Sequence, residues 1–537
     1  MVVVEYPYEE MKRLVDLPLE KMIDSLNELG APSEYEPTVK KIITELTPNR
    51  PDWYSMEGLS RALKAYHGKG RRAYRAKKSE YSVIVDPSVA KIRPYTACAI
   101  VKGLKFNDEK IRDAVLLQEK LLATLGRKVK RFGLGLYPLK AIAFPVRYTA
   151  MKPEEIRYVP LGFDKEMTAN EILEEHKKGE QYGHLIKGFD RYPVFMDANR
   201  KVMALIPIVN SDETGRIDEN TKEIFIEVSG NDLNSCKAAL NILVCTFADM
   251  GGIIYEVNVE YGSEKIRMPD LDEREMPLDM KRINKTLGIE IGKKEVADLL
   301  ARMGYGYKSG KALVPPYRAD VISWVDVMED IAIAYGYNNF RYTLPDFFSA
   351  GSVNGKFDRI DDAMRGMGFL EIKTFILTNK EKLASVGFIG DILEISNPGT
   401  ADYTIVRPNL IADIIGVFST NKMKGLPQKF YEIGIVYDRG KPGKRLVFGV
   451  MDKKLDFSSV KGYLQTLAAQ EGFTVGLTKE PSGLFENELS CSVSYYLKNG
   501  KMNECGLKRG VFGKVKKDVL DRFGLDFDVY LCELELE

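Results

Sequence analysis

Four carboxylates crowd one short stretch of this chain. In Leu313 to Phe340, LVPPYRADVISWVDVMEDIAIAYGYNNF, Asp320, Asp326, Glu329 and Asp330 lie on or just before a single helical pattern. Acids three and four residues apart share one side of a helix and repel each other, so a cation or basic groups must answer them. Oxygen-only ligands would suit Mg2+ or Ca2+ better than zinc. An exposed acidic face offsetting the helix dipole explains the same spacing. The elements that position these acids can be read locally. Pro315 and Pro316 cannot enter a helix interior, so Val314 to Tyr317 is expected to be extended. Ser323 can cap the helix and Gly336 can end it. Val327, Ile331, Ala334 and Tyr335 recur at helical spacing and should face a core, with Asp326, Glu329 and Asp330 on another side.

Other candidate chemistry is sparse. Cys98, Cys236, Cys245, Cys491, Cys505 and Cys532 form no Cys-x-x-Cys pair, and His67, His176 and His184 are the only histidines. That pattern offers neither a zinc site nor a disulfide framework. Gly133-Leu-Gly135 and Gly304-Tyr-Gly306 lack the further glycine and lysine of a nucleotide-binding fingerprint. The net charge of +1 conceals two basic runs, one between Lys69 and Lys78 and one from Arg127 to Arg131. Either run could meet phosphates, and a solvated linker is an equal reading for the first.

At 537 residues the chain exceeds a single core, and three or four domains are expected. No window approaches about twenty uninterrupted apolar residues, and the acids from Glu5 onward do not suit a signal peptide. A cytoplasmic protein is expected. Strand patterns at Val2 to Tyr6 and Val39 to Leu46 and helical patterns at Tyr8 to Val15, Leu19 to Leu29 and Ser55 to Tyr66 make an N-terminal α/β module, residues 1–80. From 81 to 265 strands at Ser82 to Val85, Tyr95 to Val101, Lys201 to Val209 and Ile224 to Val228 mix with helices at Asp108 to Leu125 and Asn234 to Met250, an α+β domain. Residues 266–345 hold helices Met280 to Leu287 and Lys293 to Met303, the strand Ala312 to Val314 and the acidic helix, a winged-helix-like unit. Residues 346–537 open on a helix, Phe357 to Met367. Strands follow at Glu371 to Leu377, Lys429 to Tyr437, Arg445 to Met451, Leu489 to Leu497 and Tyr530 to Leu536, with helices at Leu410 to Lys422 and Ser458 to Glu471. An antiparallel sheet flanked by helices is expected there. The whole is an α+β multidomain chain.

Five segments in order resemble one family. Asn49-Arg-Pro-Asp52 with Ser55-Met-Glu-Gly58 comes first, then Val314-Pro-Pro-Tyr-Arg-x-Asp320 with Asp326 to Tyr337. Asn397-Pro with Ile405-Val-Arg-Pro-Asn-Leu410 follows, then Phe430-Tyr-Glu-Ile-Gly-Ile-Val436, and finally Gly510-Val-Phe-Gly-Lys-Val515 with Val519 to Gly524. Together they resemble the phenylalanyl-tRNA synthetase β subunit family in its short archaeal and eukaryotic form.

The resemblance implies roles that residue patterns alone do not. Asp320, Asp326, Glu329 and Asp330 match the family's magnesium ligands residue for residue. The middle domain resembles the B3/B4 editing module, which hydrolyses tyrosine mischarged on the phenylalanine tRNA, and residues 266–345 resemble the B5 unit. Asn210, Ser211, Thr214 and Asp232 are the candidates for holding the substrate and its attacking water, although such residues serve turns as often. The C-terminal domain resembles an inactive class II synthetase core. Phe430-Tyr431-Glu432 lacks the arginine that would hold ATP phosphate, and Gly506-Leu-Lys-Arg-Gly510 is a poor substitute for the late arginine motif. The resemblance thus implies an α partner that performs ATP-dependent aminoacylation in an (αβ)2 heterotetramer, with tRNA as substrate. One departure stands out: the family's Gly-Ile-His-Asp is Gly135-Leu-Tyr-Pro138 here, which removes an acid/base pair. A tRNA-binding scaffold with decayed editing is the competing reading.

Overall fold

The computed structural model describes residues 2–344, 351, 355, 357–497 and 508–536, with no side-chain description at 496, 497 and 508. Cys505 and the first residues of the Gly506 to Gly510 segment lie outside them. The chain divides into two compact units, Met1–Leu344 and Pro345–Glu537. No helix among the described residues is long and apolar enough to cross a membrane.

The first unit begins with a three-stranded antiparallel sheet in the order Val2–Pro7, Lys41–Leu46, Ser33–Glu36. Helices Tyr8–Val15, Leu19–Glu28 and Met56–Tyr66 pack with it. Ser55 caps the last of these by accepting from the Gly58 amide at 3.1 Å. The segment after this helix is no free linker. Tyr74 is buried, Lys77 bridges to Tyr255, Arg71 pairs with Glu273, and Arg72 reaches Asp249 at 3.0 Å. Partners elsewhere in the unit claim these side chains, which composition could not reveal.

Two sheets form the middle of this unit. One has four antiparallel strands in the order Ile253–Tyr255, Tyr95–Lys102, Glu223–Gly230, Phe132–Pro138. The other has seven and is mixed, because Ser82–Val85 runs parallel to both Val146–Met151 and Val257–Tyr261. Helix Leu233–Asp249 packs on the first sheet, and twelve of its residues are buried, so its apolar composition reflects its position rather than an amphipathic surface. The expected strand Lys201 to Val209 is two shorter ones, Val202–Leu205 and Val209–Asn210, because Pro207 has no amide to offer a ladder. The winged-helix-like part sets helices Met280–Leu287, Lys293–Arg302 and Trp324–Tyr335 beside an antiparallel sheet of Arg274–Pro277, Lys311–Val314 and Gly306–Lys308. One continuous apolar core runs from Val4 to Ala334, so the N-terminal, middle and winged-helix-like parts share an interior.

The second unit is built on a seven-stranded sheet, Leu370–Glu371, Gln428–Asp438, Lys441–Asp452, Asp528–Glu535, Lys508–Val515, Phe485–Leu497 and Phe473–Lys479 in spatial order. Strand alternation separates two cores. Phe448 and Cys532 pack with Val460 and Leu464 of helix Phe457–Glu471, whereas Val447 and Leu531 pack with Ile414 and Phe418 of helix Ile411–Thr420. The expected strand Glu371 to Leu377 splits into Leu370–Glu371 and Leu377–Thr378, which belong to different sheets. Between them Thr374 turns to a buried ion network, its hydroxyl donating to Glu432 Oε2 at 2.5 Å. Arg407 centres that network with 2% of its side chain exposed, and it donates to Glu432 Oε1 at 2.8 Å, Thr374 Oγ1 at 2.6 Å and the Ile435 carbonyl at 2.9 Å. Asp413 lies 3.4 Å from the same guanidinium. Arg407→Met leaves buried Glu432 without its cation, while Asp413 keeps Lys382 at 2.6 Å, and is expected to destabilise this unit by about 3 to 5 kcal/mol in urea unfolding.

Candidate functional site

Two places gather the residues singled out by sequence. The first lies between the two middle sheets. Strand Glu223–Gly230 brings Glu227 opposite Gly135 of Phe132–Pro138, and Tyr137 of that strand folds its ring back over Gly135. A side chain at Gly135 would collide with the Tyr137 hydroxyl and Glu227 Oε1, so glycine here makes room for the pair. The Tyr137 hydroxyl donates to Asn210 Oδ1 at 3.2 Å and lies 3.4 Å from Glu227 Oε1. The Asn210 amide reaches the Leu136 carbonyl at 3.4 Å. Ser229 donates to Glu227 Oε2 at 2.5 Å and lies 2.8 Å from Thr96 Oγ1, extending the chain of polar groups inward.

Glu227 is the buried acid of this group, with only 1% of its surface exposed. Burial pushes its carboxyl up to about 7, against the lowering effect of hydrogen bonds from Ser229 and Tyr137 and the charge of Arg93. It exchanges between a donor and an acceptor near neutral pH, while Tyr137, fully buried, is held as a neutral phenol. The group can recognise a hydroxyl, and at present the Tyr137 phenol supplies one. Sequence reasoning passed over Glu227. Its signal was an unpaired carboxylate inside the apolar run Ile224 to Val228, where a solvent-facing residue is not expected.

The sequence-based candidates divide. Asn210 belongs to this group. Thr214 is buried and donates to the Met203 carbonyl at 3.4 Å, and Ser211 is buried with its amide on the same carbonyl at 2.7 Å, so both hold the turn that carries Asn210. Asp232 stands apart beyond the far end of strand Glu223–Gly230. It caps helix Leu233–Asp249, accepting from the Asn234 and Ser235 amides at 3.2 Å each, and its hydrogen bond from the Ser235 hydroxyl holds its carboxyl below the usual range. The capping role accounts for both its oxygens.

The second place is a cleft of about 300 Å³ where two distant motifs meet. Asn49, Arg50 and Trp53 line it from the N-terminal part, and Arg318, Asp320, Asp326, Glu329 and Asp330 from the winged-helix-like part. The four carboxylates do not converge as ion ligands. Arg318, with 2% of its side chain exposed, donates to Asp320 Oδ1 at 2.8 Å and Oδ2 at 2.7 Å, and to Asp330 Oδ2 at 2.7 Å. Burial works to raise the Asp320 carboxyl, and the charge and hydrogen bonds of Arg318 outweigh it and hold it low. Tyr305 also donates to Asp330, and Tyr337 donates to Glu329. Asp326 closes a capping box, with Oδ2 accepting from the Ile322 amide at 2.8 Å and the Ser323 amide at 2.6 Å. Among the described residues no group of three or more acids, histidines or cysteines is arranged to hold a metal. In this arrangement Arg318, two amides and two phenols answer the charge of the four carboxylates.

Two measurements probe these sites. Raising Mg2+ to millimolar levels is expected to leave the unfolding midpoint of the wild type unchanged. Arg318→Met is expected to cost about 3 to 5 kcal/mol and to acquire a Mg2+ dependence, since Asp320 and Asp330 are then unpaired. Glu227 makes stability depend on pH with a defined sign. Its folded value of about 7 lies above the ordinary 4.5, so the folded state keeps a proton that the unfolded chain has lost. Stability from this group is full below pH ~4.5 and falls as pH rises to about 7. The stability difference between wild type and Glu227→Gln should thus move against the wild type by about 3 kcal/mol from pH 4.5 to 8 in urea titrations.

Comparison with known proteins places this architecture. Residues 350–536 match the family model described as the phenylalanyl tRNA synthetase beta chain CLM domain, and residues 276–337 match the tRNA synthetase B5 domain. The chain is 34% identical to the phenylalanine–tRNA ligase beta subunit of Archaeoglobus fulgidus over 100% of its own length and 98% of that protein's. It is 32% identical to the beta subunit from Methanosphaera stadtmanae, covering 100% and 99%. An N-terminal fragment of the phenylalanyl-tRNA synthetase beta subunit from Pyrococcus horikoshii superposes with a TM-score of 0.59 at 34% identity, over 62% of this chain and 99% of that one. With both ends of the chain, its acidic helix and its sheet-centred second unit accounted for, the protein belongs to the phenylalanine–tRNA ligase β subunit family.

Proposed function

We propose that this chain is the β subunit of a phenylalanine–tRNA ligase, working in the cytoplasm with an α partner in an (αβ)2 assembly. End-to-end similarity to the archaeal β subunits carries this reading. The partner performs adenylation with ATP and its Mg2+ and transfers phenylalanine to tRNA. Two features of the second unit support leaving that chemistry to the partner. Glu432, in the segment where an ATP-binding arginine is missing, is consumed by Arg407. Phe375 and Ile376, 73% and 42% exposed beside the small sheet of Leu377–Thr378, Ile405–Val406 and Leu393–Glu394, offer an apolar surface for a subunit.

The middle domain removes mischarged tyrosine in this reading, with Glu227 and Asn210 reading the phenolic hydroxyl. A site that accepts phenylalanine discriminates poorly against one added hydroxyl, so a second site that hydrogen-bonds it is useful. Tyr137 is the difficulty, because its own phenol engages both groups. Its ring must turn aside for a tyrosyl ester to enter; in the second reading, a tRNA-binding scaffold whose editing has decayed, it stays in place. The group holds no Ser-His-Asp set, so hydrolysis would rest on positioned water and the ribose hydroxyl of the tRNA.

The two readings separate on release of tyrosine from tyrosyl-tRNA bearing the phenylalanine anticodon. Editing predicts release by the wild type together with its α partner, falling at least about tenfold in Asn210→Ala and Glu227→Gln. A scaffold with a filled pocket predicts no release above buffer. The isolated chain should not adenylate phenylalanine in either case.

A further inference from the structure

The two basic runs of the sequence differ in how far partners take them up, although Arg75, Lys77 and Lys78 of the first are exposed as well. In the first, partners elsewhere in the unit take up Lys69, Arg71 and Arg72. The second, Arg127 to Arg131, is presented outward. Arg127, Lys128 and Lys130 are exposed and Arg131 half-buried, and none of the four makes an ion pair among the described residues. Four cations within five residues repel one another unless a polyanion answers them.

The backbone holds them there. Arg127, Lys128 and Val129 have φ of 49°, 53° and 67°, three successive left-handed residues without a glycine. Such a run costs about 1 to 2 kcal/mol per residue, and the surroundings must impose it. Amides of Arg127, Lys128 and Val129 donate to the carbonyls of Thr124, Ala123 and Leu122 at 2.9, 3.3 and 3.2 Å. Val129 is buried, and buried Arg93 donates to its carbonyl at 3.1 Å. Asn231 donates from its side chain to the Lys130 carbonyl and from its backbone to the Arg131 carbonyl, and Gly230 lets that backbone approach. The loop is built as a fixed mount for its charges.

Its location gives the charges a use. Strand Phe132–Pro138 leaves the loop directly and ends beside the Asn210, Tyr137 and Glu227 group. Six residue steps along the strand carry the chain from Arg131 to Tyr137, about 20 Å, which is the reach of roughly six stacked nucleotides. We infer that the Arg127 to Arg131 loop grips the sugar-phosphate backbone of the tRNA whose aminoacylated end reaches this group. The inference rests on the proposed function for its ligand, and its geometry is independent of whether hydrolysis occurs.

The test uses the full chain with a transcript of the phenylalanine tRNA. Binding is measured across a salt series for the wild type, for Arg127→Asn/Lys128→Asn/Lys130→Gln, and for an equal-charge control, Lys177→Gln/Lys178→Gln/Lys187→Gln. Asparagine tolerates the left-handed region, so the fold should persist. Each phosphate contact contributes about 0.7 to 0.9 to the slope of log K against log salt, so the loop variant should lose about 2 to 3 from that slope and bind more weakly. The control should retain the wild-type slope. If the triple variant fails to fold, Lys130→Gln alone, at an ordinary backbone position, should lose close to one contact's worth. An unchanged slope in the loop variants, or an equal loss in the control, overturns the inference. A loop-dependent slope without tyrosine release overturns the editing reading and leaves the loop assignment standing.

Discussion

Pairing of buried charge shapes two of the places where the family motifs meet. Arg318 joins Asp320 to Asp330 under the acidic helix, and Arg407 joins Glu432 to Asp413 in the second unit. Desolvating a guanidinium and two carboxylates costs several kcal/mol per ion, which close geometry offsets and a missing partner does not. Glu227 is a buried acid with hydroxyl partners and no guanidinium in contact, and burial raises its carboxyl to about 7, as burial also raises those of Glu57 and Asp113.

The same constraint separates a structural acid from a binding one. Asp326 and Asp232 sit where a reader of motifs expects ligands, and Asp232 caps its helix while Asp326 closes the capping box that Ser323 begins. A carboxylate bonded to two amides at a helix start is stabilised by the helix dipole and has little reason to seek an ion. Glu227 lacks such an outlet, which leaves its hydrogen bonds available for exchange with a ligand hydroxyl. The Tyr137 phenol occupies that position in the unliganded chain.

Much of the fold was legible in local pattern. Helices Tyr8–Val15 and Met280–Leu287 and strand Ser82–Val85 have the bounds that periodicity predicts, and Ser323 and Gly336 bracket the acidic helix as their chemistry requires. The misses are places where a distant partner overrode local preference. The segment after Tyr66 reads as a linker until Glu273 and Asp249 pair with Arg71 and Arg72. The run from Glu371 to Leu377 reads as one strand until Thr374 turns toward Glu432. Of the candidate pocket residues only Asn210 lies in the polar group, because Ser211, Thr214 and Asp232 spend their hydrogen bonds on a turn or a cap.

What the sequence determined by itself was the order of elements, the family to which five separated motifs point, and the positions of the acids along one helix. Those follow from spacing, and spacing survives without coordinates. Only the tertiary structure decided that Arg318 stands between two of those acids, that Glu227 faces Tyr137, and that Arg71 and Arg72 of one basic run find carboxylates while the Arg127 to Arg131 loop is displayed. The reason is physical: the charge state and partners of a side chain depend on which distant groups share its low-dielectric surroundings, and adjacency along the chain does not encode that.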